Sequence, residues 1–124
     1  MVCLRRFPAF LAAALTAAAP AFAASYPVSG AWTYDYSPEK GPAKECGSRR
    51  MEFSGDQRRD TAGGVPAYRN VSVTRAGPAR FQIVDEFATG QINARLEYTL
   101  RLIDEDHIEI KLASGPSILL RRCA

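Results

Sequence analysis

Few side chains in this sequence have the type and spacing that chemistry requires. It contains one histidine, His107, and multi-histidine zinc sites within one chain are therefore excluded. The nucleophile-elbow, phosphate-loop and dinucleotide-binding motifs are all missing. We therefore expect no catalytic residue, no metal site and no cofactor, and the sequence predicts a protein that is not an enzyme.

One acidic residue, Asp85, departs from the pattern around it. It lies at the alternate position between Ile83 and Phe87, on a strand face that should be buried. A carboxylate there must find a partner or have its pKa raised. It could anchor a ligand with Tyr34 or Tyr98, or a bulge could turn it into solvent. The candidate ligand-binding residues are thus Tyr34, Asp85, Phe87 and Tyr98.

Two further groups of side chains have simpler interpretations. His107 shares a face with Glu109 and Lys111, opposite the apolar face, which predicts an exposed histidine. An aromatic column near the start of the domain could line a ligand cavity. A small barrel usually fills its interior with its own side chains, however, so core packing is the favoured role. The column consists of Trp32, Tyr34 and Tyr36.

The first 23 residues have the parts of a secretory signal peptide. Arg5 and Arg6 precede an apolar run of about 13 residues, and Ala21-Phe22-Ala23 is a small-x-small cleavage site. The run is shorter than the ~20 residues of a membrane-spanning helix. The paired arginines also fit a twin-arginine signal, so the export route stays open. We expect cleavage after Ala23 and a mature bacterial protein, periplasmic or secreted, without a membrane span.

Export determines how the cysteines are interpreted. Once Cys3 is removed with the signal peptide, only Cys46 and Cys123 remain, and an oxidising compartment favours one disulfide between them. The bridge would close a loop of 77 positions. The chain-entropy model gives such a loop roughly 4.5 kcal/mol of stabilisation, a large share of the stability of a small domain.

The mature chain has almost no net charge. Without Arg5 and Arg6 there are 14 basic and 13 acidic side chains. Because nucleic-acid binding depends on an excess of lysine and arginine, this composition argues against nucleic acid as a partner. About a hundred residues make one domain, 24–124, which we expect to be a monomer.

Alternation of apolar and polar residues dominates the mature chain. The clearest case is 92–102, where six apolar residues occupy every second position, as in a half-buried strand. A polar stretch at 55–64 predicts a mobile loop. Short turns between strands favour a small antiparallel up-and-down barrel of about seven strands, with a compact sandwich as the alternative. The predicted strands are 29–36, 49–54, 67–75, 80–88, 92–102, 107–112 and 117–123.

Gly30-Ala31-Trp32 opens the first predicted strand, and Arg121 and Arg122 lie in the last one. This order resembles the lipocalin-like (calycin) barrels. The resemblance implies that Trp32 fills one end of the barrel while Arg121 or Arg122 closes over its ring through a cation–π contact. By size and export the chain looks most like the small periplasmic barrel inhibitors of bacterial metalloproteases, which implies an N-terminal segment, here 24–29, that enters a protease cleft.

Two binding functions are the leading hypotheses from the sequence, and a structural role in the cell envelope fits it equally well. The first is a non-catalytic exported binding domain for a small apolar molecule, which requires a cavity lined by Tyr34, Phe87 and Tyr98. The second is a protein-interaction module for an envelope or secreted protein, such as a protease inhibitor. It requires a solid core and a protruding segment, either 24–29 or the loop 55–64.

Overall fold

The computed structural model describes residues 25–124; the predicted signal peptide, residues 1–23, lies outside the described residues. Eight strands form one antiparallel sheet in which each strand pairs with the next and the last pairs with the first. This closure confirms the predicted all-β barrel over the sandwich. No helix among the described residues is long and apolar enough to cross a membrane. The strands are β1 (Gly30–Thr33), β2 (Arg50–Ser54), β3 (Gln57–Asp60), β4 (Ala67–Gly77), β5 (Arg80–Thr89), β6 (Ile92–Asp104), β7 (His107–Leu112) and β8 (Ser117–Arg122).

The strand that the sequence did not predict is β3. It lies within 55–64, so the prediction of a loop there is wrong for Gln57–Asp60, and the barrel has eight strands rather than about seven. Gly55, with a φ of 62°, begins the tight turn that joins β2 to β3. The inward position of β3 carries Arg58, which is 3 % exposed. The apolar alternation that marks a half-buried strand is therefore missing from this segment.

The two ends of the barrel differ. The tryptophan end, at the start of β1, is covered by the segment 25–29. The backbone N–H of Tyr26 donates to the Gly55 carbonyl at 3.0 Å, and the Tyr26 ring lies 5.0 Å from that of Phe53. The Trp32 indole is fully buried and donates to the carbonyl of Ser29. This end is therefore closed by the chain itself. The opposite end, where β5 turns into β6 at Gly90, is called the hairpin end.

Residues 34–49 form a long loop over the outer surface of the barrel. β1 ends at Thr33 instead of continuing to residue 36, so the predicted aromatic column is interrupted there. The predicted disulfide is confirmed: Cys46 and Cys123 are bonded, with their Cα atoms 5.0 Å apart. Ala43 also forms an isolated bridge with Cys123. The loop is thus fixed to the C-terminal strand by covalent and hydrogen bonds.

His107 is buried under this loop, so the prediction of an exposed histidine is wrong. The side chain does lie on the outer face of β7, but only 1 % of the residue is exposed because the loop covers it. Nε2 is 2.6 Å from the carbonyl oxygen of Ser37, and the ring of Tyr36 lies 5.1 Å away. Nδ1 is 2.8 Å from Oδ1 of Asp104, and this hydrogen bond lowers the pKa of that carboxyl.

Replacement of His107 by leucine should weaken the attachment of the 34–49 loop. The substitution removes both ring nitrogens and leaves the Ser37 carbonyl without its partner, so we expect a loss of about 2 kcal/mol in the free energy of unfolding. Urea denaturation measures it. Lys111→Leu, on the same face but exposed, is the control and should change stability by less than about 0.5 kcal/mol. Equal losses in both variants would contradict a role for the buried ring.

Candidate functional site

A charged pair lies inside the barrel. Asp85 is fully buried on β5, so the alternative that a bulge turns it into solvent is wrong. Its Oδ2 accepts a hydrogen bond from Nε of Arg58 at 2.8 Å and lies 2.8 Å from Nη2 of the same side chain. Oδ2 also accepts from the Tyr98 hydroxyl at 2.9 Å, and Oδ1 accepts from the Asn70 amide at 3.1 Å. The carboxylate is therefore held by three side chains.

A bulge does occur beside Asp85, but in the neighbouring strand. The pairing of β4 with β5 shifts between Asn70 and Ser72. This extra residue lets Asn70 and Val73, which are three positions apart, both face the interior. The bulge thus places the Asn70 amide opposite Asp85, where it can donate to the carboxylate.

Arg58 is enclosed by aromatic rings. Its guanidinium carbon lies 3.8 Å from the centroid of the Tyr68 ring and 5.1 Å from that of Tyr98. Burial opposes its positive charge, but the neighbouring Tyr98 and Asp85 hold the pKa of Arg58 above its usual range. Burial also raises the pKa of Tyr98. The arrangement keeps one positive and one negative charge locked together in the interior.

Some hydrogen-bonding capacity beside Asp85 is unused. The Tyr26 hydroxyl and the Asn70 Oδ1 atom are buried without a hydrogen-bond partner among residues 25–124. Burial and the nearby Asp85 raise the pKa of Tyr26. Such capacity suits the anchoring of a polar group. However, Asp85 and Tyr98 are buried by the protein's own side chains, so neither residue is accessible from the surface.

The four candidate ligand-binding residues do not form one pocket. Asp85 and Tyr98 are hydrogen-bonded in the interior, whereas the Tyr34 hydroxyl donates to Asp60 at 2.8 Å. Phe87 packs edge-on against Tyr68, with ring centroids 5.3 Å apart, at the hairpin end. The main clefts of residues 25–124 are open depressions of about 270 to 470 Å³, and none combines Tyr34, Phe87 and Tyr98 in its lining.

Ser37, His107 and Asp104 have the residue types of a hydrolase triad, but their geometry is different. Nε2 of His107 contacts the backbone carbonyl oxygen of Ser37. The Ser37 hydroxyl instead accepts from the backbone N–H of Glu39 at 3.3 Å. A general base must hydrogen-bond the hydroxyl that it deprotonates. The contacts of the three residues therefore hold the 34–49 loop against β7.

At the hairpin end, β5 and β6 extend beyond their pairing with the neighbouring strands. Their mutual pairing continues to Thr89 opposite Ile92, but β5 pairs with β4 only up to Glu86, and β6 pairs with β7 only from Tyr98 onward. Residues 87–94 therefore form a two-stranded ribbon, called the projecting hairpin, and the edge of β6 away from β5 is unpaired as far as residue 97. At its tip Ile92 is 63 % exposed, and a cleft of about 440 Å³ lies along the ribbon.

Comparisons with protein-family models, curated proteins and solved structures find no match to this chain.

Sequence reasoning missed the partner of Asp85. Arg58 lies in a stretch whose composition predicts a loop, and nothing in a single sequence pairs a position on β3 with one on β5. The only signal was indirect: a carboxylate at an inward position requires a cation or several donors nearby. The projecting hairpin was also missed. Whether β5 and β6 extend beyond β4 and β7 depends on the pairing register of these strands, which one sequence does not give.

Proposed function

We propose that this protein is an exported, non-catalytic protein-interaction domain that contacts an envelope or secreted partner through its projecting hairpin. The observation that carries the proposal is the overhang of β5 and β6, whose tip presents the exposed Ile92. A contact surface needs a contiguous apolar patch, and Phe87 and Ala94, which line the cleft along the same ribbon, would contribute to such a patch with Ile92. The Cys46–Cys123 disulfide suits an oxidising compartment, periplasmic or extracellular.

A small apolar ligand inside the barrel is the less favoured function. The interior is occupied by Trp32, Tyr98 and the Arg58–Asp85 pair, all of which are buried. A ligand would have to displace the Arg58–Asp85 pair from its hydrogen-bond partners. Separating paired charges in a low-dielectric interior costs free energy. An interior filled by these side chains instead suits an interaction module.

The contact segment that we propose differs from the two that the sequence suggests. Tyr26 is buried against Phe53, so the segment 25–29 serves as a cover for the tryptophan end rather than as a protruding trunk. Four of the ten residues in the stretch 55–64 form strand β3. A lipocalin-like relationship remains part of the proposal. It is supported by the Arg122 guanidinium, which lies 4.5 Å from the centroid of the Trp32 ring, whereas Arg121 donates to the Gly41 carbonyl.

Photo-cross-linking in the bacterium that makes the protein tests this proposal. Benzoylphenylalanine in place of Ile92 should give a discrete cross-linked protein species. The matched control is Leu119, another exposed aliphatic residue, which lies on the wall of the barrel and is 37 % exposed. We expect no cross-link there. Mass spectrometry of the product identifies the partner.

Native mass spectrometry of the exported protein tests the alternative function, the binding of a small ligand. A small molecule retained at one per chain, together with no cross-link from position 92, would overturn the interaction function in favour of ligand binding. Equal cross-linking from positions 92 and 119 would show that the hairpin has no special role.

A further inference from the structure

We infer that the free edge of β6, residues 92–97, pairs in antiparallel fashion with the same edge of a second copy of this chain. The inference rests on the proposed function, because it names the partner of the projecting hairpin. It departs from the monomer that the sequence suggests.

The edge is unpaired because β7 is much shorter than β6. The last β7 residue in the ladder, Leu112, lies opposite Tyr98, and the six residues of β6 before Tyr98 pair only with β5. An unpaired row of backbone N–H and C=O groups is a template for another strand. Natural edges are often protected by proline or by charged side chains. The segment 92–97 contains no proline or lysine. Its two charged residues, Arg95 and Glu97, lie on one face of the strand and leave the apolar residues on the other face: Ile92, Ala94 and Leu96.

The sequence of the edge favours a register centred on Ala94. When Ala94 faces Ala94 of the second copy, Ile92 lies opposite Leu96 and Asn93 lies opposite Arg95, and like charges are not directly opposed. A shift that centres the ladder on Arg95 would place two arginines face to face, which is destabilising. A shift that centres it on Leu96 would drive Ala94 into the space that Leu112 occupies beside Tyr98.

The register centred on Ala94 indicates that the partner is a second copy of this chain. Antiparallel pairing about Ala94 places the apolar Ile92 and Leu96 on one face and the polar Asn93 and Arg95 on the other, in both copies. Ile92 is the most exposed large hydrophobic side chain among the described residues. In the dimer, Ile92 of each copy would pack against Leu96 of the other. Because six residues a side make a small interface, we expect a weak dimer with a dissociation constant of about 100 µM.

Light scattering coupled to size exclusion, at ~10 µM to ~1 mM protein, tests the inference with the full mature chain. A concentration-dependent dimer is expected. Ile92→Lys should raise the dissociation constant at least about tenfold, because it places a charge in the apolar contact. The control Leu119→Lys adds the same charge on the barrel wall and should leave the dissociation constant unchanged. A monomer throughout, or a dimer that survives Ile92→Lys, would overturn the inference.

Cysteine cross-linking tests the register. Mild oxidation should link Ala94→Cys chains into a covalent dimer, since directly opposed residues have Cβ atoms about 4.5–5.5 Å apart, and should not link Arg95→Cys chains. Linkage through position 95, or none through position 94 in a dimeric sample, overturns the pairing. The two proposals fail separately. A monomer that still cross-links a different protein through position 92 retains the proposed function and rejects self-pairing.

Discussion

Replacement of Asp85 by alanine is expected to lower the free energy of unfolding by about 3 to 5 kcal/mol. Asp85 is fully buried, and Arg58, which it neutralises, is 3 % exposed. Without the carboxylate, the guanidinium remains in the interior without a counter-charge, and the Tyr98 hydroxyl loses its acceptor. Urea denaturation followed by the fluorescence of Trp32, the single tryptophan, measures the loss.

The neighbouring residue supplies the control. Glu86 forms a salt bridge with Arg69 on the outer surface, where the two side chains are 33 % and 63 % exposed. Glu86→Ala should therefore cost less than about 1 kcal/mol. The double variant Arg58→Met with Asp85→Leu removes both buried charges and should recover most of the stability that Asp85→Ala loses. If Asp85→Ala and Glu86→Ala are equally stable, the buried pair does not contribute as the structure indicates.

The alternation of apolar and polar side chains was sufficient to predict the barrel, but it did not predict strand β3. The run 92–102 predicts a half-buried strand, and β6 covers this range because Leu96, Tyr98 and Leu100 face the interior. β3 escaped prediction because its inward residue, Arg58, has the wrong polarity for that rule. Alternation identifies a buried strand only when the interior is apolar, and here part of the interior is a charged pair.

His107 illustrates a second limit of sequence reasoning. Its position on the outer face of β7 was predicted from the alternation, and that placement agrees with its side-chain direction. Its burial was not predicted, because the covering segment, 34–49, lies about 70 positions earlier in the chain. Local periodicity specifies which face a residue occupies. It does not specify whether a distant loop covers that face.

Asp85 was the one polar position that the sequence marked as unusual, and the reason given for it was sound. A carboxylate between Ile83 and Phe87 had to find a partner, and the structure provides Arg58, Asn70 and Tyr98. The partners themselves could not be named, since each lies on a different strand and the β4 bulge that turns Asn70 inward leaves no signature in one sequence.

Removal of the disulfide by Cys46→Ser with Cys123→Ser is expected to destabilise the protein by about 4 kcal/mol. The bond joins residues 77 positions apart and therefore encloses β2 to β8, nearly the whole barrel. Without it the unfolded chain gains the conformational freedom of a long open loop, while the folded barrel keeps its closing β1–β8 pairing. Urea denaturation of the oxidised wild type and the double serine variant measures the difference.

The same variant separates local from global stabilisation. The Ala43 amide donates to the Arg122 carbonyl at 2.7 Å, and the Ala124 amide donates to the Ala43 carbonyl at 2.8 Å. If the bond acts mainly on the unfolded chain, hydrogen exchange at all core amides accelerates together, since each exchanges through global unfolding. If it acts mainly by fixing the 34–49 loop, only the amides of Ala43 and Ala124 exchange faster, and the urea midpoint hardly moves. The length of the enclosed chain favours the first result, and an unchanged midpoint would contradict it.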